Sequence, residues 1–89
     1  MTNISNIKHT SNMQSHIDKA YDIIEEHLPV NYRAKAEELL KEKGIEVSRG
    51  TIKNVRLRYS VRLDVLEVLL MIAKESQQNK LAIIEKVNQ

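Results

Sequence analysis

The apolar residues of this chain recur every three or four positions, the spacing that places side chains along one face of an α-helix. Two residues that commonly end helices, Pro29 and Gly44, divide this pattern into segments. Proline lacks a backbone N–H donor, and glycine readily takes the left-handed conformation that closes a helix. We therefore predict an all-α fold, a compact bundle of four to five helices.

The helical pattern also predicts where the segments begin and end. The predicted helices cover about residues 16–28, 32–43, 49–57 and 62–76. A last segment, residues 80–87, is predicted as a fifth helix or a continuation of the fourth, and a break near residues 77–79 is favoured because these residues are polar. Residues 1–15 are rich in Thr, Asn and Ser and too poor in apolar residues for a periodic face. They are predicted to form a flexible N-terminal arm, and residues 16–89 the folded domain.

The composition limits the size of the core. The chain has 89 residues with neither Phe nor Trp, so one modest core of Leu, Ile, Val, Ala and Met is expected. Such a core supplies only about 3–5 kcal/mol, and association with a second copy would add stability. The stripe of Leu81, Ile84 and Val87 therefore predicts a homodimer through the C-terminal region. The alternative is that this segment folds back on its own domain and covers Ile17 and Ile24.

Several classes of function have no residues to support them. The absence of cysteine excludes disulfides, cysteine zinc sites and thiol catalysis. His9, His16 and His27 are not spaced as metal ligands, and the sequence has no nucleophile motif and no glycine-rich phosphate loop. We predict a non-enzyme without cofactor, metal or small-molecule substrate. No apolar segment has the length of a signal peptide core or a membrane span, so a cytoplasmic protein without membrane contact is expected.

The positive charge of the chain is concentrated in one window. Between Val47 and Leu63 the sequence has five basic residues and no acidic one, whereas the net charge of the whole chain is +2. The rest of the chain therefore carries −3. Such concentration points to a nucleic-acid partner, and the alternative is a basic face that simply contacts solvent. The five residues are Arg49, Lys53, Arg56, Arg58 and Arg62.

The basic window begins with a helix that has two distinct faces. Ser48 is placed to cap this helix, and the spacing of Ile52 and Val55 turns both toward the core. The opposite face is polar and basic, without an acidic group to repel phosphate. It consists of Arg49, Gly50, Lys53 and Asn54.

The same region resembles a known family. The run VSRGTIKNV at residues 47–55, followed by a basic loop and LDVLEVL at residues 63–69, is similar to the small repressor-like helix-turn-helix proteins of bacteria and their phages. The resemblance covers about residues 29–74. It implies that the helix 49–57 is a recognition helix in the DNA major groove and that Ser48 lies at the phosphate backbone. The turn at residues 42–46 is longer than the compact turn of the family, which affects the angle between the two helices.

Residue chemistry divides the basic window into two predicted roles. Arginine can contact guanine and asparagine adenine through two hydrogen bonds, which suits the outward face of the helix. The resemblance places Arg49, Gly50, Lys53 and Asn54 toward the major groove, and these are the predicted base-reading residues. Lys53 suits a base edge or a phosphate. The basic residues past the reading face are better placed for phosphates, whose contacts fix the position of a protein on DNA without reading its sequence. The predicted phosphate contacts are Ser48, Arg56, Arg58 and Arg62.

These observations lead to one expected function and one alternative. We expect a sequence-specific double-stranded DNA-binding protein, a small transcriptional regulator that reads the major groove with the helix 49–57. The alternative is a protein-binding or structural helical module, such as a phage component or adaptor, that uses the apolar C-terminal helices. The basic window favours DNA, because a protein partner would require it only if that partner were acidic.

Overall fold

The computed structural model describes the backbone of residues 2–88 and the side chains of residues 13–88. This part of the chain is helical without strands and contains four α-helices, which agrees with the predicted all-α class. The helices are α1 (Thr2–His27), α2 (Tyr32–Glu42), α3 (Arg49–Arg56) and α4 (Leu63–Asn88).

The first helix begins earlier than its apolar pattern indicates. The backbone is helical from Thr2 onward, so the predicted start near His16 is wrong, and residues 2–15 of the segment assigned to an arm are part of α1. A periodic apolar face is needed to recognise a helix from sequence, but a helix does not require one along its whole length. Once a packed segment has nucleated a helix, each further residue adds a backbone hydrogen bond at low cost.

The last helix is continuous. The helix α4 runs from Leu63 to Asn88 without the predicted break near residues 77–79, so the segment 80–87 continues the fourth helix. The physical reason is that this stretch contains glutamine and asparagine but neither proline nor glycine. Polar residues interrupt an apolar seam without interrupting the backbone hydrogen bonds of the helix.

The core is built around the first half of α4. Val65, Val68 and Leu69 are completely inaccessible to solvent, and α4 contacts each of the other three helices. The inward position predicted for Ile52 and Val55 is confirmed. The buried residues are Ala20, Tyr21, Ile24, Ala36, Leu40, Ile52, Val55, Val65, Leu66, Val68, Leu69, Ile72 and Ala73.

The two long helices run in the same direction. Met13 of α1 lines one shallow depression together with Leu63 of α4. Pro29, which follows α1, lines another together with Ser76 and Asn79. Because α1 ends at His27, the last turns of α4 extend past it.

This arrangement leaves the C-terminal apolar stripe uncovered. Leu81, Ile84 and Val87 are 54%, 53% and 77% exposed. The alternative in which the last segment folds back over Ile17 and Ile24 is therefore wrong. Ile24 is instead buried in the core, and Ile17 packs against its edge. The reason is that a continuous α4 cannot reverse direction within its own length.

Candidate nucleic-acid interface

The sequence that precedes α3 fixes where this helix begins. Ser48 has an extended backbone, and its hydroxyl accepts a hydrogen bond of 3.2 Å from the backbone N–H of Thr51. This is the N-cap geometry expected of serine, and it satisfies one of the donors that a helix start leaves without a partner. Ile52 and Val55 are completely buried, as their spacing predicts. The opposite face of α3 therefore points away from the core.

The outward face of α3 is accessible to a ligand. Arg49, Lys53 and Asn54 are all exposed. Gly50 is exposed too, and a Cβ added there would meet only the Ser48 hydroxyl, at an ordinary contact distance of 3.7 Å. Packing within the chain therefore does not require glycine at this position, and its lack of a side chain leaves the backbone open to close approach.

Three of the five basic residues of the window form ion pairs inside the chain. Arg49 pairs with Glu37 of α2 through its Nε, Arg58 with Asp18 of α1 at 2.9 Å, and Arg62 with Asp64 at 2.7 Å. Within residues 13–88, Lys53 and Arg56 form no ion pair. The sequence shows no acidic residue inside the window, but the fold brings three carboxylates to it from outside or from its edge.

Arg58 occupies an unusual backbone position at the end of α3. Its φ of 66° lies in the left-handed region, and the N–H groups of Arg58 and Tyr59 bond to the carbonyls of Val55 and Asn54. These are the two hydrogen bonds of a Schellman motif. The helix α2 ends in the same motif with Gly44 at φ 74°, so α3 places arginine where α2 has glycine. A residue with a Cβ costs about 1–2 kcal/mol in this conformation.

Contacts to α1 hold Arg58 in that position. Its guanidinium lies 4.5 Å from the centre of the Tyr21 ring and donates to Asp18. The Tyr21 hydroxyl in turn donates a 2.6 Å hydrogen bond to the Val55 carbonyl. Burial raises the pKa of Tyr21, and the positive charges of Arg58 and Arg56 partly offset that rise. The end of α3 is thus joined to α1 by a small cluster of Asp18, Tyr21, Val55 and Arg58.

Arg62 is fixed at the start of α4. Its Nε and Nη2 donate to the two carboxylate oxygens of Asp64, which also accepts a hydrogen bond from the backbone N–H of Val65. The hydrogen bond from Arg62 is the main reason why the pKa of Asp64 lies below its ordinary value. Arg62 therefore has a local partner in the first turn of α4.

The structure distributes the predicted site residues along α3 and to the start of α4. Ser48 and Arg49 lie at the N-terminal end of α3, beside Glu37 of α2. Arg56 and Arg58 lie at its C-terminal end, beside α1, where their charges act on Tyr21. Lys53 and Asn54 lie between these two ends on the exposed face. Arg62 is at the start of α4.

Sequence reasoning missed a second basic residue near Arg49. Arg33, in the first turn of α2, lines the same open depression of about 330 Å³ as Arg49, Glu37 and Asn31. It is exposed and forms no ion pair within residues 13–88. Arg33 lies outside the basic window. Its position in the first turn of the supporting helix was the one sequence signal that could have indicated a role in DNA binding.

The connection between α2 and α3 is longer than a compact helix-turn-helix turn, as the sequence predicts. Six residues, 43–48, separate the two helices. Ile45 and Val47 are half-buried and pack against the core, so the longer connection is anchored by apolar contacts. Beside it lies an open depression of about 370 Å³ with Leu40 and Ile52 at its base.

Two further features bear on other functions. Among the described residues, no group of three His, Asp or Glu side chains is arranged to hold a metal ion. His9 lies outside the described side chains. No helix in the described part of the chain is both long and apolar enough to cross a membrane.

Comparisons with known proteins give no relative. No protein-family model, no curated protein and no solved structure matches this chain.

Proposed function

We propose that this chain is a sequence-specific double-stranded DNA-binding protein, a small transcriptional regulator that reads the major groove with α3. The observation that carries the proposal is the outward face of α3, where Arg49, Lys53 and Asn54 are exposed on a helix whose other face is buried. This face carries two cations, a carboxamide and a glycine, and no acidic side chain. Cations bind phosphates and guanine, and carboxamides bind adenine.

The proposed base-reading residues are Arg49, Gly50, Lys53 and Asn54. Lys53 and Asn54 lie near the middle of the exposed face, and Gly50 lets the backbone approach a base pair closely. The proposed phosphate contacts are Ser48, Arg56, Arg58 and Arg62, with Arg33 added from the fold. Arg58 and Arg62 would exchange their carboxylate partners for phosphates, and ion pairs near the protein surface contribute little to stability.

The alternative function, a protein-binding or structural module, is favoured by a different observation. Leu81, Ile83, Ile84 and Val87 are each more than half exposed. Contiguous exposed apolar side chains are typical of protein-interaction surfaces. A protein partner on this surface would not exclude DNA from α3, because the two surfaces lie on different helices.

For the C-terminal surface we propose a second copy of the chain as the partner. If Leu81 and Ile84 take the a and d positions of a parallel helix pair, Lys80 takes a g position and Glu85 the following e position. Lys80 of one copy then faces Glu85 of the other, with opposite charges. A homodimer would present two copies of α3 to two half-sites about one helical turn of DNA apart.

Salt-dependent DNA binding tests the proposed function. The full chain is titrated with a random-sequence duplex at several salt concentrations, and its preferred duplex is then selected from a randomised library. Arg56→Ala, which removes a proposed phosphate contact of α3, should reduce the salt slope by about 1 on either duplex. Lys86→Ala, which removes the same charge from an exposed position of α4 outside the proposed helix pair, is the matched control and should leave the salt slope unchanged.

Binding to the selected duplex distinguishes recognition of the base sequence from general electrostatic attraction to DNA. Asn54→Ala should weaken binding to the selected duplex by about 1–3 kcal/mol and leave binding to the random duplex nearly unchanged. Failure of the full chain to bind any duplex at low salt would refute the proposal. Equal effects of Arg56→Ala and Lys86→Ala would remove α3 from the interface.

A further inference from the structure

The ion pair between α2 and α3 leaves part of Arg49 available for other contacts. The Nε of Arg49 donates to Oε1 of Glu37 at 2.5 Å, while the Arg49 side chain is 77% exposed. Within the described residues the two Nη atoms of Arg49 form no hydrogen bond. The side of the guanidinium that holds Nε is thus occupied, and the end that holds both Nη atoms faces solvent.

The free end of Arg49 matches a specific base. Two parallel N–H donors from one guanidinium can bond to O6 and N7 of guanine, the commonest specific contact in the major groove. An unrestrained arginine has many rotamers, and ordering it costs conformational entropy on binding. A partner at Nε holds the plane of the guanidinium before DNA arrives.

Glu37 is itself held in place by α2. It lies one position after the buried Ala36, and its side chain is only 34% exposed. It lines both the depression beside Arg33 and the one beside Ile45, so it lies between α2, α3 and their connection. The carboxylate therefore links the supporting helix to the first residue of α3.

We propose that Glu37 is a positioning residue that makes Arg49 specific for guanine. This inference rests on the proposed function and adds a specificity-determining residue outside the basic window. Glu37 does not contact DNA in this proposal. It orients Arg49 through Nε and opposes the nonspecific binding of that arginine to phosphate by its negative charge.

The simplest rival to this proposal is that Glu37 only competes with DNA for Arg49. A competitor lowers the affinity for all duplexes equally, so its removal would strengthen specific and nonspecific binding by the same factor. A positioning residue has a different effect. Its removal should strengthen nonspecific binding and weaken the preference for guanine.

The experiment measures the ratio of affinities of the full chain for two probes, the selected duplex and a version with the guanine contacted by Arg49 replaced. Glu37→Ala should lower this ratio about 5- to 100-fold, the range of a bidentate contact. The affinity of the Glu37→Ala variant for nonspecific DNA should rise. The salt slope of this variant should steepen by about 1, because the released Arg49 can bind a phosphate. Glu37→Gln retains an acceptor oxygen, so it should keep part of the preference.

Two controls complete the design. Glu38→Gln removes the same charge from the exposed neighbouring position and should leave the ratio at its wild-type value. Arg49→Lys lacks the planar fork, so adding Glu37→Ala to it should not change the ratio further. Helix content measured by circular dichroism verifies that each variant is folded.

The outcomes separate the inference from the function on which it rests. If the wild-type chain binds no duplex, the proposed function fails. If the wild type prefers its selected duplex but Glu37→Ala keeps the full ratio, the proposed function stands and the positioning role of Glu37 is overturned. An equal rise in both affinities would show that Glu37 is only a competitor.

Discussion

The Tyr21 hydroxyl donates a buried hydrogen bond of 2.6 Å to the main-chain carbonyl of Val55, which joins α1 to the last turn of α3. The two residues are 34 positions apart in the chain. Val55 is also one of the two residues that turn the polar face of α3 outward. The orientation of the proposed recognition helix therefore depends on a residue of the first helix.

Removing this hydroxyl should lower the stability of the fold. Tyr21→Phe keeps the ring under Arg58 and leaves the Val55 carbonyl with the Arg58 N–H as its remaining donor, so the loss of one hydrogen bond should cost about 0.5–1.5 kcal/mol. Urea unfolding followed by circular dichroism measures the change. Tyr59→Phe is the control, because Tyr59 is 78% exposed, and it should unfold like the wild type. Equal stability of the two variants would show that the hydrogen bond contributes nothing.

The same residue predicts a loss of stability at alkaline pH. The pKa of Tyr21 is raised in the folded chain, so the folded state holds the phenolic proton more tightly than the unfolded state. The resulting stability is fully present below the ordinary pKa of about 10 and is lost as pH rises through the raised pKa. The free energy of unfolding of the wild type should therefore fall more steeply above about pH 10 than that of Tyr21→Phe. Tyr59→Phe should retain the steep decline, and identical profiles for wild type and Tyr21→Phe would contradict the prediction.

Backbone strain at the end of α3 can be separated from the contacts of the Arg58 side chain. Arg58→Ala loses the stacking on Tyr21 and the ion pair with Asp18 but keeps a Cβ in the left-handed region, so it should be destabilised by about 1 kcal/mol. Arg58→Gly loses the same contacts and relieves the strain. It should be more stable than Arg58→Ala by about 1 kcal/mol.

The matched control for this comparison lies at the end of α2. Gly44 has the same conformation, and nothing lies within 4 Å of the position that a Cβ would take. Gly44→Ala should therefore cost about 1 kcal/mol through the backbone alone. Chemical denaturation of the four proteins measures these differences. Equal stability of Arg58→Gly and Arg58→Ala would mean that position 58 stores no strain.

The proposed homodimer gives a prediction about mass in solution. The full chain should sediment as a dimer at micromolar concentration, and Leu81→Lys with Ile84→Lys should sediment as a monomer. Ile83→Lys is the control, because Ile83 is exposed but lies outside the a and d positions of the proposed pair. Lys80→Glu should weaken the dimer, and adding Glu85→Lys should restore it. A monomeric wild type, or equal effects of all substitutions, would refute this pairing.

Local patterns in the sequence were sufficient for three features of this protein. The spacing of Ile52 and Val55 and the capping position of Ser48 correctly predict the start and inward face of α3. Gly44 correctly predicts the left-handed end of α2. These features depend on residues only a few positions apart, whose interactions are set by helix geometry. Local patterns failed at the start of α1 and in the middle of α4, where backbone hydrogen bonds continue without an apolar face.

The sequence by itself determined that the chain is helical, which residues of α3 face inward and where positive charge is concentrated. Only the tertiary structure decided that Glu37 lies at Arg49 and Asp18 at Arg58, partners 12 and 40 positions away. It also decided that the last turns of α4 extend uncovered past the end of α1. The physical reason is that periodicity and capping act within a few residues, whereas the pairing of distant charges depends on how whole helices pack. A charge pattern therefore predicts where cations are, and the fold decides which of them remain available to a partner.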